Sequence, residues 1–175
     1  MQGAKEDIFF VNTKSLYYTS LHLRLSSLFY LFQLVDIFSY EVKLASKSLS
    51  LFIPANNNRS THSILVHNFH SPLTQSRLYF FSTNLSSAPG PGTLSLSIPS
   101  VTLSELFFSA NWLEREVSEF HGITFLGKKD LRNLMLQYGD LSSPLQKSFP
   151  TVGLKEVYYN PVKDVIVQNP VTLQT

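Results

Sequence analysis

The sequence predicts an α+β fold: an N-terminal helix packed on a small, mainly antiparallel sheet, then a charged helix, then an extended C-terminal tail. Three observations predict it. Leucines and aromatics recur at steps of three and four in Ser15–Leu34, and again from Leu106 to Phe120, which is the spacing of a helix face. Between these stretches lie short β-branched and aromatic runs bounded by Pro and Asn, residues that end strands by removing a donor or favouring a turn. Past Gly139, Pro144, Pro150, Pro161 and Pro170 are spaced so that no long helix can form. One domain is expected over residues 1–140, and a tail over 141–175.

Each element has its own local reason. The first helix carries Leu21, Leu25, Leu28, Leu31 and Phe32 on one face, and LVDIFSYEVKL then changes to the alternation of a strand around Val35, Ile37, Ser39 and Glu41. Three further strand candidates follow: SLSLFI before Pro54, HSILVHNF after NNNRST, and RLYFFS after Pro72. NLSSAPGPGTLSLSIPS has the composition of a Ser/Pro/Gly surface loop. Thr102 with Glu105 reads as a capping box opening the second helix, whose apolar stripe is Leu106, Ala110, Leu113, Val117 and Phe120 and whose stop is Gly122. A short third helix is expected around Asp130–Tyr138, ending at Gly139.

Composition narrows the chemistry. The absence of cysteine removes disulfides, thiolate catalysis, Fe–S ligation and Cys-based zinc sites. A net charge of +2 without clustered Lys/Arg argues against nucleic acid, whose binding displaces counterions with clustered cations. Only 15% of residues are charged against 43% hydrophobic, an apolar surplus that a large permanent interface would cover. Leu21–Phe38 is the best membrane-span candidate, but Arg24, Gln33 and Asp36 interrupt it, so it reads as a buried amphipathic helix and no direct span is expected. MQGAKEDIFF shows neither a secretory nor a mitochondrial import pattern.

No constellation reads as an active site. His62, His67 and His70 match no common zinc spacing, and no acid lies between Glu41 and Glu105 to complete one. No G-x-S-x-G elbow or phosphate loop is present, and the sequons at Asn58 and Asn84 would matter only in a secreted protein. The expectation is therefore no catalytic, cofactor-binding or metal residue. What does stand out is Asn111–Met135, which holds eight of the chain's charged side chains beside its only tryptophan, Trp112. On a helix Arg115 and Glu119 stand at i, i+4 and can pair, and Glu116 lies near Glu119. Carboxylates on one helix do not face each other across a cleft as a hydrolase would need. The cluster reads as a charged docking surface, ahead of a solvated salt-bridged face.

These same residues carry a resemblance. ANWLEREVSEFHGITF, KKDLRNLM and QYGDLSSPLQKSFP resemble the thirty-kilodalton subunit family of respiratory complex I, also called NADH dehydrogenase subunit 9. The matching positions include Trp112, Glu114, Arg115, Glu116, Glu119, Lys128, Asp130, Arg132, Tyr138, Pro144, Lys147, Phe149 and Pro150. The sequence departs from that pattern at His121, Asp140, Ser143, Gln146 and Ser148, which implies an altered neighbour surface. The resemblance implies a non-catalytic core subunit of the hydrophilic arm, on the matrix side of the mitochondrial inner membrane or the cytoplasmic side of a bacterial membrane. Its tail would wrap neighbouring subunits, chiefly the 49 kDa quinone-site subunit, and be protected only within the complex. FMN, Fe–S clusters and ubiquinone would belong to those neighbours. Related subunits of hydrogenases and chloroplast-type dehydrogenases, or a stand-alone scaffold, are the alternatives.

Overall fold

The computed structural model describes residues 6–26, 32–43, 61–84 and 99–171. The strand expected at SLSLFI and most of the Ser/Pro/Gly loop lie outside them. The architecture is α+β, with strands β1 (Glu6–Phe10), β2 (Gln33–Lys43), β3 (Thr61–Ser71) and β4 (Ser76–Asn84) forming one sheet in the order β1-β4-β3-β2. β2 pairs antiparallel with β3, and β3 with β4, as the mainly antiparallel expectation has it. β1 is not among the expected strands: EDIFF is too short to show a period, and it pairs parallel to β4 along the edge.

Helix α1 spans Leu16–Leu25 and is shorter than expected. Its buried face is Leu16, Ser20 and Leu23, while Leu25, assigned to the apolar stripe, is 74% exposed. Ser26 ends the helix in extended backbone, with its N–H on the His22 carbonyl, and by Gln33 the chain is already a strand. The expectation of a helix to Leu34 therefore fails at its C-terminal end, because Phe32 and Leu34 are buried as part of the sheet layer rather than as a helical stripe. Leu28 and Leu31 lie outside the described residues.

A register shift between Leu34 and Asp36 turns Val35 outward and brings Leu34 and Ile37, three apart, to the same side. That side is the core: Leu34, Ile37, Leu65, Phe69, Leu78 and Phe80 pack with Leu16 and Leu23 of α1. A second helix, α2 (Ala110–His121), closes the core with Ala110 and Val117, and Leu113 packs against it. The opposite sheet face carries an aromatic strip in register, Phe10, Phe81, Val66 and Phe38, in which Val66 is fully buried between its larger neighbours.

α2 is bracketed by β5 (Ser100–Val101) and β6 (Phe125–Leu126), which pair in parallel. Gly122 ends it in the left-handed conformation at φ 67°, its N–H on the Ser118 carbonyl, as the sequence predicts. The start differs. The helix begins at Ala110 after Ser109, so Leu106 precedes it in a turn and the Thr102–Glu105 capping box does not form. Ser109 Oγ instead donates to the Leu34 carbonyl at 2.9 Å and ties α2 to β2. The expected third helix is also absent: residues 130–138 are irregular. The tail contains a hairpin, β7 (Lys155–Asn160) and β8 (Val165–Pro170), rather than a single ribbon.

His67 sits on the core face of β3, fully buried and stacked on Phe69, and neither ring nitrogen has a well-formed hydrogen bond. Burial pushes its pKa down to about 4, with the Phe80 backbone working weakly against that shift. A folded-state pKa below the unfolded value means the neutral ring is favoured by folding: the contribution is complete above about pH 6.5 and is lost as pH falls towards 4. Urea unfolding should show stability falling by on the order of 1 kcal/mol per pH unit across that window. In His67→Leu that component of the slope should vanish; an identical pH profile in both chains would refute the assignment.

Candidate functional site

The charged stretch folds inward. Glu114, one turn into α2, is fully buried. Its carboxylate accepts the Thr102 hydroxyl at 2.6 Å, the Leu103 N–H at 2.7 Å and the Lys128 ammonium at 3.1 Å. Lys128 Nζ also donates to the Asn111 carbonyl at 2.8 Å and to Asn111 Oδ1 at 3.2 Å, so all three of its protons are used. The desolvation of both ions is offset because the carboxylate accepts three bonds and every proton of the ammonium finds a partner. Thr102, read from sequence as a cap, is thus a ligand of this carboxylate, and nothing in its local spacing reveals that.

From Lys128 onward the chain runs alongside α2 and is bound to it step by step. Arg115 donates from Nε to the Arg132 carbonyl at 2.8 Å and from Nη2 to the Asn133 carbonyl at 3.2 Å. Four residues later on the helix, Glu119 accepts the consecutive N–H groups of Leu134, Met135 and Leu136 at 2.8–3.2 Å. An α-helix here would need the Arg132 carbonyl for the Leu136 N–H and the Asn133 carbonyl for the Gln137 N–H. Both oxygens go to Arg115 and the Leu136 N–H goes to Glu119, which is why Asp130–Tyr138 is not a helix. It is also why the expected Arg115–Glu119 ion pair does not form. Arg115 reaches Asp130 at 3.5 Å instead, and Arg132 grips the same carboxylate through two bonds, at 3.0 and 2.9 Å. Those Arg132 bonds, helped by Arg115, hold the Asp130 carboxyl well below the usual carboxylate range.

The C-terminal end of α2 is bound as well. Leu145 N–H donates to the Phe120 carbonyl at 3.1 Å, Gln146 Nε2 to the His121 carbonyl at 2.8 Å, and Lys147 N–H to Glu41 Oε2 of β2 at 3.0 Å. Burial lowers the His121 pKa, with Glu41 opposing. Three of the five departures from the family pattern, His121, Ser143 and Gln146, therefore meet around Gly122, where an added Cβ would lie 2.7 Å from Gln146 Nε2 and 2.9 Å from Ser143 Oγ. Asp140, a fourth, accepts the Ser142 N–H at the surface, and Ser148 lies beside Gln146.

Of the charged cluster, Glu114, Glu119 and Lys128 are buried and bonded within the chain, whereas Lys129 and Arg132 are exposed. Glu116 takes no part in the contacts along α2. Trp112 and Tyr138 are exposed, as are Leu131, Met135 and Leu141. Pro144 and Phe149 are half-buried, Pro150 is exposed, and Lys147 contributes its backbone. Among the described residues no group of three His, Asp or Glu is placed to hold a metal. His70 Nδ1 lies 3.2 Å from the Ser76 carbonyl, on the strand face opposite His67.

Removing one buried ion leaves the other uncompensated. Lys128→Met should cost roughly 3–5 kcal/mol in urea unfolding, whereas the double change Glu114→Gln with Lys128→Met should recover a large part of it. Arg132→Ala, at the exposed end of the same stretch, should leave the midpoint nearly unmoved. Equal losses in Lys128→Met and in the double variant would show that the pair is not the constraint.

The chain is 45% identical over 76 residues to an NADH-quinone oxidoreductase subunit of Ruegeria pomeroyi, a stretch covering 43% of this chain and 37% of that protein. The same identity and length relate it to a probable mitochondrial NADH-ubiquinone oxidoreductase 30.4 kDa subunit of Candida maltosa, of which 27% is covered. An NADH-quinone oxidoreductase subunit of Cupriavidus pinatubonensis is 40% identical over 73 residues, covering 42% of this chain and 37% of that one. The matched stretch thus spans little more than a third of these relatives at most. Residues 34–155, from β2 to the first residue of β7, match the family of the respiratory-chain NADH dehydrogenase 30 kDa subunit, and the chain belongs to that family.

Proposed function

We propose that the chain is a non-catalytic structural subunit of the hydrophilic arm of respiratory complex I, the proton-translocating NADH:ubiquinone reductase. It holds quinone-module subunits together, chiefly the 49 kDa subunit, while FMN, Fe–S clusters and ubiquinone sit in its neighbours. It is peripheral on the matrix side of the mitochondrial inner membrane. Among the described residues no helix is long and apolar enough to cross a membrane.

One observation carries this reading. Glu114, Arg115, Glu119 and Lys128 of the family stretch are used in binding the chain's own backbone, and beside them Trp112, Leu131, Met135, Tyr138 and Leu141 are each more than half exposed. Charges so placed supply position rather than reactivity, and an exposed apolar set of this kind is what a protein partner covers.

The reading is tested in cells by Arg115→Ala, which frees the carbonyls of Arg132 and Asn133. The amount of assembled complex should fall on a native gel stained for NADH dehydrogenase activity, with this chain identified in the parent band, while turnover per assembled copy stays at the parental value. Normal assembly with a slowed chemical step, or a parent band that lacks the chain, would overturn it.

A further inference from the structure

The hairpin β7–β8 is the part of the described chain least attached to the rest. Its hydrogen bonds lie within itself, including Val171 N–H on the Leu154 carbonyl, and the charge contact towards the body is the weak pull of Lys155 on Asp140. Where the hairpin points therefore depends on the last place at which the chain is fixed to the body. That place is residues 145–147. Leu145 and Gln146 occupy the carbonyls of Phe120 and His121, two of the orphan acceptors that end α2, and Lys147 N–H reaches across to Glu41 on β2. The approach is possible because Gly122 has no Cβ to meet Gln146 and Ser143. Beyond the grip, two successive turns, Phe149 N–H on the Gln146 carbonyl and Gly153 N–H on the Pro150 carbonyl, carry the chain into β7 without a long extended linker.

We propose that Glu41, the C-terminal carbonyls of α2 and Gln146 form a latch that fixes the direction in which the hairpin leaves the body, so that it meets its partner already oriented. The meeting rests on the proposed assembly role; the latch does not. A single bond would leave a pivot. Three bonds from consecutive residues to two different elements fix rotation as well as position, and the Glu41 bond is strengthened by its charge. A segment oriented beforehand spends less of its binding energy on ordering.

The chain has no cysteine, so spin labels can be placed at Thr74→Cys in the β3–β4 turn and Lys163→Cys in the hairpin turn of the full chain. The label distance distribution is measured in the parent and with Glu41→Ala, Glu41→Gln or Gln146→Ala added, together with amide exchange at Leu145 and Lys147. The parent should give one narrow distribution. Glu41→Ala should broaden it and speed Lys147 exchange about tenfold, the effect of losing one net hydrogen bond. Glu41→Gln, which keeps an acceptor oxygen, should fall between the two, and Gln146→Ala should broaden the distribution independently. Unchanged exchange at Val117 in each variant reports that α2 is intact. A broad distribution in the parent, or unchanged width and Lys147 exchange in both Ala variants, would overturn the latch. All readouts come from the free chain, so they stand or fall separately from assembly into a complex.

Discussion

The buried Glu114 carboxylate is the interaction on which the rest of the structure depends. It joins three segments that are distant in sequence: the end of β5 through Thr102 and Leu103, the first turns of α2, and the loop after β6 through Lys128. A buried ion pair is weak evidence for stability, since an apolar pair of the same volume often serves as well. What an apolar pair cannot do is discriminate register. Moving Lys128 away would leave the buried carboxylate with only the Thr102 hydroxyl and the Leu103 N–H, so the pair fixes where the loop crosses α2. Every contact further along the helix, from Arg115 to the Phe120 carbonyl, counts from that position.

A consequence follows for the segment from 128 to 147. It has no regular secondary structure, yet side chains of α2 replace the partners that a helix or ladder would supply to its backbone. Helices ordinarily bury their apolar face and solvate their charges. Here the apolar face of α2 packs on the sheet while its charged face is covered by backbone. Lys128, Asp130 and Gln146 of this segment turn their side chains to α2, while Leu131, Met135, Tyr138 and Leu141 are left outside.

Much of this is legible in the sequence, and the boundary between what is and is not has a physical basis. Alternation points to β2, short β-branched and aromatic runs bounded by Pro and Asn point to β3 and β4, and the three-four stripe with Gly122 points to α2 and its end, because those signals are local to one element. The resemblance locates the residues that matter along α2. It does not assign their roles, because carboxylates on an amphipathic helix look the same whether they face water or a neighbouring strand of backbone. Glu119 reads as a partner for Arg115 from spacing alone; in the fold, three N–H groups outcompete that pairing. The absent helix at Asp130–Tyr138 has the same cause, tertiary contacts overriding a local preference. Glu41 carries no signal at all, since its partner is 106 residues away.

The placement of charge and apolar surface runs opposite to that of a self-sufficient domain. Glu114, Glu119 and Lys128 are inside and bonded, while the aromatic strip on the outer sheet face, the side chains of Leu131, Met135, Tyr138 and Leu141 and both strands of the hairpin are presented outward. A two-stranded hairpin gains little from its own pairing, and one whose Val157, Tyr159 and Ile166 are all more than half exposed leaves much of its apolar area in water. Such a segment contributes free energy only when a second surface covers it, at roughly 25 cal/mol for each Å² of apolar area removed from water, less the cost of ordering what is buried. Rigid attachment at residues 145–147 reduces the second quantity without changing the first. A chain with few charges to spare thus uses Glu114, Arg115 and Glu119 of α2 to hold its own backbone in place, and much of the area left for a partner to cover is apolar.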